Sequence, residues 1–220
     1  MNNIIRAKDL PVRTSLKRSD LLNSIAEEIG AKSYLEIGVQ EGITFNAISI
    51  SKKTGVDPDP YSKATLHITS DMYFDLLDDD VKFDLIYVDG LHHWETALRD
   101  IDNAVKHLSK DGVIVVDDIA PRREEHQTRE PSAIYWTGDV WKAWFVAIHR
   151  YGSQFDMFGV DIALGQGVIR SKRYAPVESE QIDNKEITGD LLSWDHYIEG
   201  HHRYHRMLSW ENYTDQDWQE

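Results

Sequence analysis

Short apolar runs alternate with segments of helical periodicity along the first 120 residues. The runs SYLEIGV, FDLIYVDG and DGVIVVDDI have the composition and length of buried strands. The segment HWETALRDIDNAVKHL between the last two runs repeats apolar residues at three- and four-residue spacing, which is typical of an amphipathic helix. Strands that alternate with helices of this length pair in parallel through right-handed crossovers. The alternation therefore predicts an α/β fold with a mostly parallel sheet.

Other elements follow from shorter signals. A helix is expected over Ser19–Ile29, capped by Ser19 or Asp20 and stopped by Gly30. GITFNAISISKK is interpreted as a helix, SDMYFDLLDD as a capped helix, GDVWKAWFVAIHRY as a helix, and TGVDPDP as a very short strand ending at Asp57. LHIT is interpreted as a further strand. QFDMFGV and ALGQGVIRS are predicted to be two strands joined by a turn and antiparallel to each other.

The chain of 220 residues has the length of one substantial domain, and we find no internal repeat or domain boundary. We expect a single domain over residues 1–220 with a core at about 18–172. The polar stretch 120–137 is too long for an ordinary connection and is predicted to be a lid loop. Residues 188–220 are interpreted as an aromatic, His-rich helical tail, which makes a homodimer plausible. His201 and His205 in this tail are one helical turn apart, but a wet amphipathic surface is the preferred interpretation over a metal site.

Composition excludes several classes of function. The formal net charge of −14 argues against tight nucleic-acid binding, because that requires Lys and Arg to neutralise phosphates. The absence of cysteine excludes disulfides, thiolate catalysis and Cys-type zinc sites. The N-terminal residues lack the apolar segment of a signal peptide, and no apolar run reaches membrane-spanning length. These features predict a cytoplasmic protein with no membrane or nucleic-acid partner.

Acidic residues lie at the ends of the predicted strands: Glu36, Asp57, Asp89, and the neighbours Asp117 and Asp118. The carboxyl ends of parallel strands form the ligand-binding edge of an open sheet, so we expect these side chains to gather there. Hard oxygen ligands without cysteine suit Mg²⁺ or Mn²⁺ better than zinc. Neighbouring residues on a regular strand face opposite sides. Either the strand ends at the aspartate pair and the chain turns, or one carboxylate faces the site while the other caps a loop.

The first of these acids stands in the segment YLEIGVQEGITF, where two glycines follow the strand. Gly38 and Gly42 permit a tight turn and the close approach of a ligand to the backbone. A dinucleotide fingerprint would carry a third glycine, and a carboxylate at Glu36 would be poorly placed beside a pyrophosphate. The pattern favours a cationic ligand that carries an amino acid.

YLEIGVQEGITF, GVDPDP, FDLIYVDGLHHWE and GVIVVDDI, in this order and spacing, resemble the class I S-adenosylmethionine (SAM)-dependent methyltransferases. More narrowly, they are similar to the small O-methyltransferase branch that includes metal-dependent catechol-type and macrolide-sugar enzymes. The resemblance covers about residues 33–119 and continues plausibly to Arg170. It implies a Rossmann-like, doubly wound, seven-stranded sheet with a terminal antiparallel strand and helices on both faces.

The resemblance also implies roles for single residues. Glu36 and Gly38 would line the methionine part of SAM, Gly42 would admit the helix behind it, and Asp57 would accept the ribose hydroxyls. Ser70 or Asp71 would lie near the adenine. Asp89, Asp117 and Asp118 match positions that bind a divalent metal, Mg²⁺ or Mn²⁺, in metal-dependent members.

A histidine just beyond the third predicted acid is the candidate base. His92 lies three residues after Asp89, and an imidazole suits proton removal from an alcohol. In the macrolide-sugar enzymes the matching histidine is the base, although His93 could substitute. The predicted activity is methyl transfer to a hydroxyl of a sugar- or phenol-like small molecule, with Asp89 and His92 as catalytic residues. The alternatives are a metal-independent methyltransferase and a non-catalytic SAM- or nucleotide-binding protein, while the glycine pattern disfavours a nicotinamide-dependent oxidoreductase.

Overall fold

The computed structural model describes residues 16–131, 134–171, 187–204 and 206–214, and only the backbone of 201–204. Its helices are α1 (Arg18–Ile29), α2 (Ile43–Ala47), α3 (Ser70–Leu76), α4 (Trp94–Lys106), α5 (Val140–Tyr151), α6 (Trp194–Tyr204) and α7 (Trp210–Thr214). Its strands are β1 (Ser33–Ile37), β2 (Lys52–Val56), β3 (Phe83–Val88), β4 (Leu108–Val116), β5 (Phe155–Val160) and β6 (Gln166–Ser171). None of the helices in these ranges has the length and apolar character needed to cross a lipid bilayer.

One mixed sheet organises the molecule. Its strand order is β2-β1-β3-β4-β6-β5, and the first four strands are parallel. β6 runs antiparallel to both β4 and β5, so the predicted antiparallel pair is confirmed. The chain therefore has the mostly parallel α/β sheet that the alternation of strands and helices predicts, in the Rossmann-like form that the resemblance implies.

The described residues contain six strands, so the predicted seventh is not confirmed. The segment LHIT, expected to be a strand, contributes one isolated parallel bridge between Leu66 and Val56. At the end of the same segment, the Thr69 side chain accepts a hydrogen bond from the Met72 backbone N–H at 3.2 Å and caps α3. The start of this helix leaves too little extended backbone for a ladder.

Alternate residues of the strands point to opposite faces, and helices cover both. Leu35, Ile37, Ile86, Val88, Ile114 and Val116 pack in one apolar cluster with residues of α3, α4 and α5. Tyr34, Leu85, Tyr87, Val113 and Val115 pack in a second cluster with residues of α1, α2 and α7. Every one of these strand residues is buried, which is the pattern expected of a sheet with helices on both faces.

Two predictions at helix ends require correction. The N-cap of α1 is Lys17, not Ser19 or Asp20, because the Asp20 carboxylate reaches back and accepts the Lys17 backbone N–H at 2.8 Å. Gly30 does end this helix, in the left-handed conformation at φ 62°. α2 is only five residues long, since the chain becomes extended at Ile48. β-branched isoleucines favour extended backbone, which shortens the helix predicted through Lys53.

The predicted lid and tail are partly visible. Among the described residues of 120–137, Glu124–Gln127 form a short 3₁₀-helix and the others form neither a helix nor a strand. In the tail, Tyr197 and Tyr213 are buried against the domain, while the side chains of His201 and His205 lie outside the described residues. The homodimer stays a prediction.

Candidate active site

The turn after β1, residues 38–42, contacts the turn after β3, and we call it the glycine turn. Gly38 adopts φ 84°, and a Cβ atom built there would lie 1.9 Å from the carbonyl oxygen of Asp89. Gly42 starts α2 at φ 71°, where a Cβ would meet the Lys63 side chain at 2.8 Å. Both positions combine a left-handed backbone with a close neighbour, so a larger residue would displace the loop. The backbone therefore requires glycine at positions 38 and 42, as the tight turn predicted from the sequence does.

Asp57, at the end of β2, holds this loop in place. One of its carboxylate oxygens accepts the backbone N–H groups of Val39 and Gln40 at 2.9 and 2.8 Å. The other oxygen accepts the N–H of Asp59 at 2.9 Å. A carboxylate offers about four acceptor positions, so one stays available for a ribose hydroxyl. Asp57 thus shapes the loop through these hydrogen bonds, and its contact with the ribose stays a prediction.

Glu36 is a buried carboxyl group, with 1% of its surface exposed. The Tyr34 hydroxyl donates a hydrogen bond to it. Burial raises the pKa of Glu36 to about 8, the nearby Asp89 charge adds to this, and the hydrogen bond from Tyr34 and the charge of Lys53 oppose it. The group is therefore largely protonated near neutral pH, and a cationic ligand would favour its ionised form.

The aspartates after β4 both face one site because the chain turns there. The Oδ1 atom of Asp117 accepts the Asp118 backbone N–H at 2.8 Å and also a hydrogen bond from the Gln166 side chain. Asp118 adopts φ 59°, a left-handed conformation that breaks the strand alternation. Of the two arrangements that the sequence leaves open, the structure adopts the one in which the strand ends and the chain turns.

His92 lies between two of the aspartates. Its Nε2 is 3.4 Å from Asp89 Oδ1, and its Nδ1 is 3.4 Å from Asp118 Oδ2. Burial lowers the pKa of His92, but the hydrogen bond with Asp89 and the charges of the three aspartates outweigh it and raise the pKa overall. His93 instead places its Nε2 3.3 Å from the carbonyl oxygen of Arg129, outside this group. Geometry thus separates the two histidines that sequence alone did not.

A guanidinium that sequence reasoning missed completes the group. Arg18, the first residue of α1, places Nε 2.8 Å from Asp117 Oδ2 and Nη1 3.3 Å from Asp89 Oδ2. Its Nη2 lies 3.8 Å from Asp118 Oδ1. We call Asp89, Asp117 and Asp118 the aspartate cluster. Burial raises the pKa of Asp89 and of Asp118, the charge of Asp117 raises them further, and His92 and Arg18 oppose the shift.

The cluster has a donor set that suits a divalent cation. Ligand atoms of Asp89, His92 and Asp118 all lie within 4.8 Å of one another. The Oδ1 atom of Asp118 is buried and receives no hydrogen bond from any described residue. Carboxylate oxygens with one imidazole fit Mg²⁺ or Mn²⁺. The side chains present thus suit a divalent cation, although the Arg18 guanidinium lies among the same carboxylates.

The residues just before α5, 134–139, lie against His92. The Trp136 ring stacks on the imidazole with centroids 4.8 Å apart and planes 19° apart. The Asp139 backbone N–H donates to the His92 carbonyl at 3.1 Å, and a Cβ on Gly138 would lie 1.9 Å from that same oxygen. Arg129 forms ion pairs with both Glu95, at 3.0 Å, and Asp139, at 3.3 Å. The end of the predicted lid thus contacts His92, and its role as a lid stays a prediction.

The residues expected near the adenine lie apart from the cluster. Asp71 is half-exposed and pairs with Arg99 at 3.1 Å, and Ser70 is the first residue of α3. Next to α3, burial raises the pKa of Asp100 to about 7, the charge of Asp71 adds to this, and the charge of Arg99 opposes it. A Cβ on Gly90 would lie 3.2 Å from the Asp100 carboxylate, so this acid backs the turn after β3.

Residues 35–119 match a family model described as a methyltransferase domain. No curated protein sequence matches the chain. Among solved structures, an O-methyltransferase from Bacillus cereus in complex with SAH is 15% identical with a TM-score of 0.54, over 76% of this chain and 86% of that one. The O-methyltransferase TomG from Streptomyces achromogenes, involved in tomaymycin synthesis and in complex with SAM, is 15% identical with a TM-score of 0.50, over 74% and 84%. The matched segment contains the glycine turn, His92 and the whole aspartate cluster.

Proposed function

We propose that this chain transfers a methyl group from SAM to a hydroxyl group of a small molecule, because residues 35–119 match a methyltransferase domain and the chain shares the fold of a solved O-methyltransferase. The observation that carries the proposal is the position of His92 between Asp89 and Asp118, at the same sheet edge as the glycine turn. This edge is where open α/β sheets bind their ligands. The expected acceptor is sugar- or phenol-like.

The cofactor half of the site is formed by β1 and β2. SAM supplies, when bound, a methyl group on a positively charged sulfonium. Glu36 offers a buried carboxylate to the cationic methionine part, Gly38 and Gly42 let it approach the backbone, and Asp57 offers its remaining acceptor position to the ribose. The start of α3 at Ser70 and Asp71 would lie near the adenine.

The acceptor half is formed by the turns after β3 and β4. The hydrogen bond between His92 Nε2 and Asp89 Oδ1, at 3.4 Å, would orient the ring. Nδ1 lies 3.4 Å from Asp118 Oδ2 without a hydrogen bond to any described residue, and would be the nitrogen that takes the proton. His92 would take the hydroxyl proton of the acceptor while the methyl group passes from sulfur to the acceptor oxygen, so that the carbon–sulfur bond breaks and the neutral thioether leaves with the electron pair. The stacked Trp136 would shield the imidazole from water. Asp89, Asp117 and Asp118 would hold a divalent cation, Mg²⁺ or Mn²⁺, which lowers the pKa of a hydroxyl group. Holding oxygen, carbon and sulfur in line supplies much of the acceleration.

The test combines binding with turnover. Calorimetry with SAM and with NAD should show binding of SAM alone. A screen for methyl transfer to sugars and phenols, with and without Mg²⁺, should identify the acceptor class. With that acceptor, His92→Gln should lower kcat about 10²- to 10⁴-fold with SAM affinity retained, because it removes the base. His93→Gln is the matched control and should retain turnover.

Each alternative gives a different outcome. Undiminished turnover in His92→Gln would contradict the assignment of the base. Turnover that survives a chelator, and also survives Asp89→Ala and Asp117→Ala, would favour a metal-independent methyltransferase. SAM binding without turnover on any hydroxylated acceptor would favour a binding protein.

A further inference from the structure

The aspartate cluster gathers three carboxylates in a space that is almost closed to water. The side chains of Asp117 and Asp118 are 1% and 2% exposed, and that of Asp89 is 16% exposed. Buried carboxylates this close together repel one another strongly unless a cation lies among them. His92 lies 3.4 Å from two of the three, and even when protonated it carries a single positive charge. The cluster therefore requires a further cation when its members are ionised.

Arg18 supplies that cation, because its guanidinium lies within ion-pair distance of all three aspartates. Each of its three guanidinium nitrogens faces a different aspartate, at 2.8 Å for Asp117, 3.3 Å for Asp89 and 3.8 Å for Asp118. A planar guanidinium with fixed donors can serve several carboxylates at once. The three carboxylates surround the guanidinium in the way that the ligands of a metal ion surround the ion.

We infer that the Arg18 guanidinium is the resident cation of the aspartate cluster, and that a divalent cation binds there only in competition with it. The inference deepens the metal-binding part of the proposed function and needs neither SAM nor an acceptor. Arg18 and a divalent ion would lie within about 4 Å of each other if both were present, where like charges repel strongly in a buried site. One of the two must therefore leave.

Arg18 has a route out of the cluster. It is the first residue of α1, and its side chain is 34% exposed although its tip contacts buried acids. A change of side-chain rotamer can move the guanidinium to solvent while α1 stays packed through its buried Leu21, Leu22 and Ile25. Exchange of the two cations thus requires no change in the fold.

The experiment measures Mn²⁺ binding to the full chain without SAM or acceptor, by titration with detection of free Mn²⁺ by electron paramagnetic resonance. Arg18→Gln keeps hydrogen-bonding capacity and removes the charge, so it should bind Mn²⁺ about tenfold tighter than the wild type, or more. Arg18→Lys keeps the charge and should stay within about threefold of the wild type. Arg150→Gln removes the arginine of the surface pair with Asp102 and should also match the wild type.

A double variant locates the ion. Asp89→Asn in the Arg18→Gln background should abolish the gain in affinity, because it removes one ligand of the cluster. Equal affinities of wild type and Arg18→Gln, weaker binding by Arg18→Gln, or no Mn²⁺ binding by either would overturn the inference. Circular dichroism checks that each variant is folded, and Arg18→Lys keeps the comparison informative if the uncharged variant is unstable. Because no methyl transfer is measured, failure here is distinct from failure of the proposed activity.

Discussion

Glu36→Gln should make the protein more stable at alkaline pH. Glu36 is buried in the folded protein, where its pKa is about 8 against an ordinary value of 4.5. Below pH 4.5 the group is protonated in both states, so it contributes no difference. Between 4.5 and 8 the unfolded chain releases the proton while the folded chain retains it. The stability of the wild type therefore falls as pH rises through this interval.

The size of the effect follows from that interval. Each pH unit corresponds to about 1.4 kcal/mol, so the full cost above pH 8 is on the order of 5 kcal/mol. Glutamine has nearly the same shape, cannot ionise, and can still accept the hydrogen bond from Tyr34. The variant should therefore match the wild type near pH 4.5 and exceed it increasingly up to pH 8.

Urea denaturation without SAM, at pH 5, 6.5 and 8.5, measures this directly as the free energy of unfolding. Glu41→Gln, an exposed position in the same loop, is the matched control and should follow the wild type at all three values. The argument is refuted if the free-energy difference between wild type and Glu36→Gln is the same at pH 5 and pH 8.5. Calorimetry should also show weaker SAM binding by Glu36→Gln, since the variant lacks the carboxylate for the cationic ligand.

Three further variants address the remaining parts of the site. Asp100→Asn should raise the free energy of unfolding by about 2 to 4 kcal/mol at pH 8 and hardly at all at pH 4, because the folded pKa of about 7 disfavours the charged acid; urea denaturation at both values checks this. Gly138→Ala should destabilise the fold by about 1 to 3 kcal/mol and lower kcat, because a Cβ would collide with the His92 carbonyl; equal stability and turnover would show that this contact yields freely. Trp136→Leu should lower kcat about tenfold with SAM affinity unchanged, because it uncovers the His92 ring; a loss of SAM affinity instead would place Trp136 in the cofactor site.

Local periodicity was sufficient to predict the elements that carry the site. The sequence predicts β1, β3 and β4 because a strand buried on both faces is a continuous apolar run, and it predicts α4 because an amphipathic helix repeats apolar residues every 3.6 positions. The LHIT segment shows where this fails. Its composition suits a strand, but a strand also needs a partner along its length, and only Leu66 reaches β2. The composition of one segment therefore does not predict whether a distant strand will pair with it.

The candidate site divides in the same way. The acids at the strand ends could be predicted to meet because parallel strands share one carboxyl edge. Arg18 could not, since it lies 71 positions before Asp89 in a charged stretch typical of a solvated helix start. Trp136 reaches His92 only through the path of the lid, which no local pattern describes. The residues missed are those brought to the cluster by packing of distant segments.

The left-handed backbone of Asp118 limits which amino acids this position can accept. Aspartate, asparagine and glycine adopt such a φ at little cost, whereas longer or β-branched side chains do so rarely. Relatives that keep the same turn after β4 should therefore offer a carboxylate, an amide or no side chain here, and glutamate should be rare. The shape of the turn thus restricts the chemistry of the site before any ligand imposes its own demands.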